Sequence, residues 1–306
     1  MKATLFKFGA GVTATAICGA LGATVLAGEN GVGDGEVAPP APEYVFLTGI
    51  VRDFRERTAE GGHTDFEKRP SAGFGHYCGN VAHTLGEDGN PVFTGGGFKV
   101  SSQWRDSAGR PICYTLYDAD AGDSAGSMGV TDAGGIASSE SFSQWFRDVP
   151  GVNMSKPLPL RFVRQEDGSY VFDDKTDPVY STLNGFFPIE DQLFGNPGGS
   201  PDRNFHFTFE LHTQFTYDAD GSQVFKFVGD DDVWVFINDE LVIDLGGVHS
   251  ATEQYVDLNR LGLEDGATCT LSFFFAERHR TQSNFRIVTN LELESIQLPT
   301  VSAAFD

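Results

Sequence analysis

The chain has 306 residues, with 43 acidic against 21 basic side chains and a formal net charge of -22. That balance repels phosphate backbones and anionic membrane surfaces, so it argues against nucleic acid as a partner and favours cations. The length suits one large domain or two smaller ones.

The opening segment reads as a secretory signal. Lys2 and Lys7 form a short positive start, Phe8 to Leu26 carries no charge, and Val25-Leu26-Ala27 offers small residues at the cleavage positions, so the cut is expected after Ala27. The stretch is too rich in Gly, Ala and Thr for a stable membrane span. Residues 28–43 are rich in Gly, Pro and acids and read as a flexible leader. An exported chain can form disulfides. Cys78 and Cys113 share one irregular region and are the expected pair, whereas Cys269 sits on the apolar parity of a strand and reads as a small buried hydrophobe. None of the cysteines has zinc-ligand spacing.

A strand-like Tyr44 to Val51 opens the folded part. Residues 61–140, rich in Gly, Ser and Asp, read as long loops and short strands. Ser141 to Asp148 predicts a short helix, ended by Val149-Pro150-Gly151 because the residue before proline disfavours helix. From residue 158 a two-residue period takes over. Phe205, Phe207, Phe209 and Leu211 alternate with His206, Thr208, Glu210 and His212, as in a half-buried antiparallel strand. Asp218-Ala219-Asp220-Gly221 is a turn, Val224 to Val228 returns, and Val233 to Ile237 follows. Asn238-Asp239 turns tightly into Leu241 to Leu245. Strands over Thr268 to Ala276 and Phe285 to Leu291 complete an all-β chain, expected to fold as an antiparallel, jelly-roll-like β-sandwich with long irregular insertions.

The acidic run Asp230-Asp231-Asp232 feeds straight into Val233-Trp234-Val235-Phe236-Ile237. Like charges beside an apolar strand repel one another, and a hard cation with a taste for carboxylate and carbonyl oxygens relieves that cost. A solvated acidic turn is the alternative reading. His206, Glu210 and His212 share one strand face, which suits a solvated or sugar-facing surface better than a metal. Asp118-Ala119-Asp120-Ala121-Gly122-Asp123 imitates half a calcium loop without its closing glutamate and reads as a flexible acidic loop. Trp234 either stacks on a sugar ring or packs in a second layer. No pair of carboxylates stands out as glycosidase machinery, and no nucleophile elbow or zinc-protease motif is present, so no catalytic residue is assigned.

The motifs GDDDVWVFINDELVIDLGGVH and FFFAERHRTQSNFRI, with QWFRDVPGVN, NGFFPIEDQLFG and NFHFTFELHTQFTY in order before them, resemble the fibro-slime domain family. The resemblance runs over residues 44–293, with an insertion at about 73–140, a core at about 158–293 and a C-terminal tail at 294–306. That family is related to the PA-fourteen module, a carbohydrate-associated β-sandwich. In its adhesin members two adjacent aspartates joined by a cis peptide hold calcium, and the calcium binds sugar hydroxyls. The resemblance therefore implies Asp230 and Asp231 as calcium ligands, with Asn284 from the facing Glu277–Asn284 loop. Asp232, Trp234, Glu277, His279, Arg280 and Gln282 would stand around the sugar. Asp232 replaces the small residue usual in the family, and Arg278 and Arg280 are unusual company for a cation.

These readings converge on a secreted, non-catalytic, calcium-dependent protein that binds an extracellular glycan or matrix polysaccharide. The alternative is a structural component of a matrix or filament that assembles through protein contacts, including contacts with itself. A glycan-processing enzyme, with two facing carboxylates in a cleft, is the third.

Overall fold

A computed structural model describes residues 41–295. The expected signal, all but the last residues of the leader, and the tail beyond residue 295 lie outside the described residues.

Strand β1 (Tyr44–Phe54) is followed by the insertion, with its short strands β2 (Tyr77–Cys78), β3 (Phe98–Ser102), β4 (Trp104–Arg105), β5 (Pro111–Ile112) and β6 (Ser127–Thr131). Then come β7 (Asn153–Arg164), β8 (Tyr170–Asp173), β9 (Phe207–Thr216), β10 (Val224–Gly229), β11 (Asp232–Ile237) and β12 (Glu240–Leu245). β13 (Thr252–Asp257), β14 (Thr268–Glu277), β15 (Phe285–Thr289) and β16 (Glu294–Ser295) complete the order. The main sheet runs β12-β11-β14-β9-β1-β7-β8-β15-β10-β13, with β16 added against β9, and its pairings are antiparallel. Such a sheet folds over on itself so that its inner faces share one core. The two end strands are not joined by a backbone ladder. Gln254 of β13 bridges them instead: its Oε1 accepts from Asp244 N at 2.8 Å, and its Nε2 donates to Asp244 O at 3.2 Å.

The shared core is built on aromatic rings from the alternating strands. Phe207, Phe209, Phe225, Phe227, Phe273, Phe275 and Phe285 are all buried in it, and Phe186 packs among them from a loop. Full burial of each such ring contributes about 1.5–3 kcal/mol. Asn238 and Asp239 both take left-handed backbone, φ 48° and 66°, the geometry of a tight turn joining two twisted strands.

The insertion and the segment that follows it change what the outer face of this sheet sees. Trp145, Phe142 and Phe146 lie on Trp234, Phe236 and Phe274, forming a second core outside the sandwich. β11 is therefore buried on both faces. β9 is as well: Thr208 Oγ1 donates to Trp145 O at 2.6 Å, and Glu210 lies 2.9 Å from Arg52. The half-buried strand expected over Phe205 to His212 is thus a central strand covered on both sides. His206 is fully buried and bonded to Glu67 at 3.0 Å, while His212 bonds Ser272 Oγ at 3.0 Å, so this row presents no open sugar-facing surface.

Three further expectations are corrected. The helix predicted over Ser141 to Asp148 is a single turn, α1 (Ser139–Phe142), that starts two residues earlier, where Ser138 caps it: its Oγ accepts from Ser141 N at 3.0 Å. The Cys78–Cys113 bridge is not formed. Both thiols are free and buried; Cys78 Sγ contacts Met128 Sδ at 3.7 Å, and Cys113 Sγ accepts from Thr115 Oγ1 at 3.1 Å. The acidic loop ending at Asp123 is anchored, since both Asp123 oxygens receive the Arg260 guanidinium at 2.6 and 2.8 Å. Cys269 is fully buried, as its parity predicts.

Candidate cation and saccharide site

Three connections meet at one end of the sandwich: the β10–β11 step, the β12–β13 loop and the β14–β15 loop. β10 and β15 pair up to Gly229 and Phe285, and the ladder continues as Asp230 N donates to Asn284 O at 3.2 Å. This register sets the acidic run against the Glu277–Asn284 loop. The Asp230–Asp231 peptide is cis.

The three aspartates have different surroundings. Asp230 is held by Asn284, whose backbone N–H and Nδ2 donate to its two oxygens at 2.6 and 2.7 Å. Asp231 accepts only backbone donors, from His249 at 3.2 Å and Arg278 at 3.3 Å. Asp232 takes the Arg278 guanidinium at 2.6 and 3.1 Å and the Gly247 N–H at 2.6 Å. Arg278 is fully buried, also donates to Gly134 O at 2.9 Å, and stands 5.0 Å from the Trp145 ring. Its cation is thus committed to Asp232 and to the insertion.

Glu277, at the end of β14, is also fully buried. Its Oε1 accepts from His279 N at a long 3.4 Å, and its Oε2 has no partner. Burial raises the Glu277 carboxyl well above the ordinary range, and the charges of Asp231 and Asp230 add to the effect. Burial likewise raises Asp231, with Arg278 opposing and the neighbouring Asp232 and Asp230 adding. Asp230 is raised by burial against the lowering bonds from Asn284. Asp230 and Asp231 are thus desolvated carboxylates that repel one another at the surface of the fold, the condition a hard cation relieves, and the buried Glu277 charge adds to the repulsion.

Above them opens a cleft of about 230 Å³, lined among others by Asp230, Asp231, His249, Phe74, Arg280 and Gln282. Phe74 comes from the insertion and is 44% exposed, with its ring against His279 at 4.8 Å between centroids. Arg280 lines the cleft but turns its guanidinium to Glu56 at 3.1 Å and Glu67 at 3.5 Å.

The expected site residues therefore divide. Asp230, Asp231, Glu277, Asn284, His279, Arg280 and Gln282 gather at this end of the sandwich. Asp232 and Trp234 are removed from any ligand. Asp232 is fully buried under Arg278, and Trp234 is fully buried between Phe142 and Trp145, donating Nε1–H to Asp244 at 3.1 Å. In this arrangement Asn284 serves as the clamp on Asp230. Sequence reading missed Phe74 and His249. Phe74 lies about 150 residues before the acidic run and carries no local signal. His249 acts through its backbone N–H, for which the Gly246-Gly247 pair, close in the same loop, is the only hint.

Residues 196–303 match the PA14 domain model. The chain is 40% identical over 174 residues to protein psiD of Dictyostelium discoideum, covering 54% of this chain and 32% of that protein. It is 43% identical over 150 residues to protein psiI of the same organism, covering 46% of this chain and 19% of that protein. It thus spans about a third or less of the length of these curated relatives. The solved GH31 alpha-xylosidase from Xanthomonas citri aligns with 81% of this chain and 22% of its own, at 9% identity and a TM-score of 0.24, too low to bear on function. The likeness to the PA14 domain is thus confined to residues 196–303, and the likeness to the psi proteins covers about half of this chain.

Proposed function

We propose that the protein is a secreted, non-catalytic, calcium-dependent carbohydrate-binding protein whose ligand enters the cleft above Asp230 and Asp231. One observation carries the reading: the desolvated carboxylates of Asp230 and Asp231 line the cleft, while the Arg278 guanidinium beside them is already committed to Asp232. Asp230 and Asp231 would hold the ion, with the orphaned Glu277 oxygen and loop carbonyls beneath or beside it. Calcium supplies open coordination positions for vicinal sugar hydroxyls. Phe74 supplies an exposed apolar face for a pyranose ring, and Gln282 supplies a side-chain amide at the rim.

Calcium titration of the full chain, followed by a glycan array with and without chelator, tests this. Wild type is expected to bind calcium and then glycan, and Asp231→Ala to lose both. Absence of calcium binding at millimolar levels sinks the mechanism. A structural matrix component is the second reading, favoured by the lock of Arg278 on Asp232, Gly134 and Trp145, which makes this end of the molecule a rigid platform.

A further inference from the structure

The outer face of β7, β8 and β15 carries a second cleft, about 340 Å³, lined among others by Arg161, Gln165, Asp173, Thr176, Asp177 and Arg286. Leu160 and Phe162 point into the core, so the strand alternation turns Arg161 outward. The other charges in the cleft are already engaged. Arg286 pairs with Asp173 at 2.9 Å, and Asp177 Oδ1 accepts the backbone N–H groups of Val179 and Tyr180 at 2.8 and 3.3 Å. The Arg161 side chain makes no ion pair or hydrogen bond among the described residues, and its Nε is shut off from solvent without an acceptor. The two terminal nitrogens have no acceptor either and are not shut off from solvent, so in a chain with 43 carboxylates they stand open to an acceptor that arrives.

Beside it stands an aromatic. The Arg161 guanidinium lies 5.9 Å from the Tyr44 ring, which is 51% exposed. A guanidinium presents a planar fork that matches a carboxylate, and an exposed ring next to it matches the apolar face of a sugar. The negative net charge of the chain does not forbid an anionic ligand at this spot, because exposed charges are screened beyond about 8 Å at physiological ionic strength.

We propose that this cleft is a second saccharide subsite that takes a uronic acid residue, with the carboxylate on Arg161 and the ring face on Tyr44. It shares only the ligand class with the calcium-dependent reading, and it uses no ion. The test is calorimetric titration of the full chain, in chelator, with an oligogalacturonate, with the same oligomer carboxyl-reduced, and with inorganic sulfate. The oligogalacturonate is expected to bind and the reduced oligomer and sulfate to bind at least about tenfold more weakly, as loss of a charge-assisted pair implies. Arg161→Gln is expected to match that loss, and Arg161→Lys to approach it because an ammonium lacks the fork. Tyr44→Ala is expected to weaken binding several-fold, and Asp231→Ala to leave it unchanged. The proposal is overturned by equal binding of the reduced oligomer or of sulfate, or by a requirement for calcium. It is equally overturned if folded Arg161→Gln keeps wild-type affinity, or, where that variant does not fold, if Tyr44→Ala keeps it.

Discussion

At one end of β10 the carboxylates of Asp230 and Asp231 lie beneath the surface with Glu277; at the other, Asp218, Asp220 and Asp265 stand in water. Both ends are acidic strand connections of similar composition. At the outer end the carboxylates do local work: Asp218 Oδ1 accepts from Asp220 N at 3.0 Å, and Asp265 Oδ1 accepts from Ala219 N at 3.0 Å, closing turns. At the inner end the backbone donors run short, Glu277 Oε2 is left with none, and burial raises all three carboxyls. Acidity in a loop is thus only a property of composition. A site comes from desolvation and an unfilled oxygen, and both are supplied by elements distant in sequence.

Three substitutions or conditions break this contrast, in descending size. Arg278→Ala removes the partner of a fully buried Asp232 and is expected to destabilise the fold by about 3–5 kcal/mol in denaturant titration, with the insertion losing its anchor. A result below about 1 kcal/mol would mean that the pair is not what holds the insertion down.

The next effect is pH dependence of the chelated protein. Asp231 and Glu277 are raised above their ordinary values of 3.8 and 4.5, so they bind protons more tightly folded than unfolded. Their contribution to stability is whole below the unfolded values and drains away as pH rises through the folded ones. Asp244, raised by burial to about 7, acts in the same direction between those limits. Thermal melts in chelator should therefore fall as pH climbs from about 4 towards neutrality. Calcium should flatten that decline, since the ion binds the deprotonated carboxylates. Melts that are level with pH in chelator would show that the three acids are not desolvated in solution.

The smallest effect belongs to the outer turn. Asp220→Asn should shift stability by no more than about 0.5 kcal/mol and leave calcium titration untouched. Altered calcium binding in that variant would erase the distinction between the two ends.

Much of the sandwich is legible in the residues themselves. The period-two runs from Phe207 to Leu245 and from Thr268 onward announce their strands, and Asn238-Asp239 announces its turn, because strand alternation and left-handed turn residues are local properties. The Asp230–Asp231 pair and its facing loop are likewise visible as contiguous motifs. What escapes is what segments distant in sequence do to these strands. Trp234 looks half-exposed by parity until Trp145 covers it, and Asp232 looks like a ligand until Arg278, 46 residues later, claims it. Such pairings are set by which face a distant segment lands on, and no window of neighbouring residues contains that information.

Gln254, which spans the two end strands, has a consequence for the cleft. The loop it helps to anchor, between β12 and β13, also donates Gly247 N–H to Asp232 and His249 N–H to Asp231. The same short segment is therefore both the hinge of an unzipped seam and one jaw of the acidic cleft. An ion seated on Asp231 would act as a clasp, drawing that jaw down and reinforcing the seam that the Gln254 side chain now bridges.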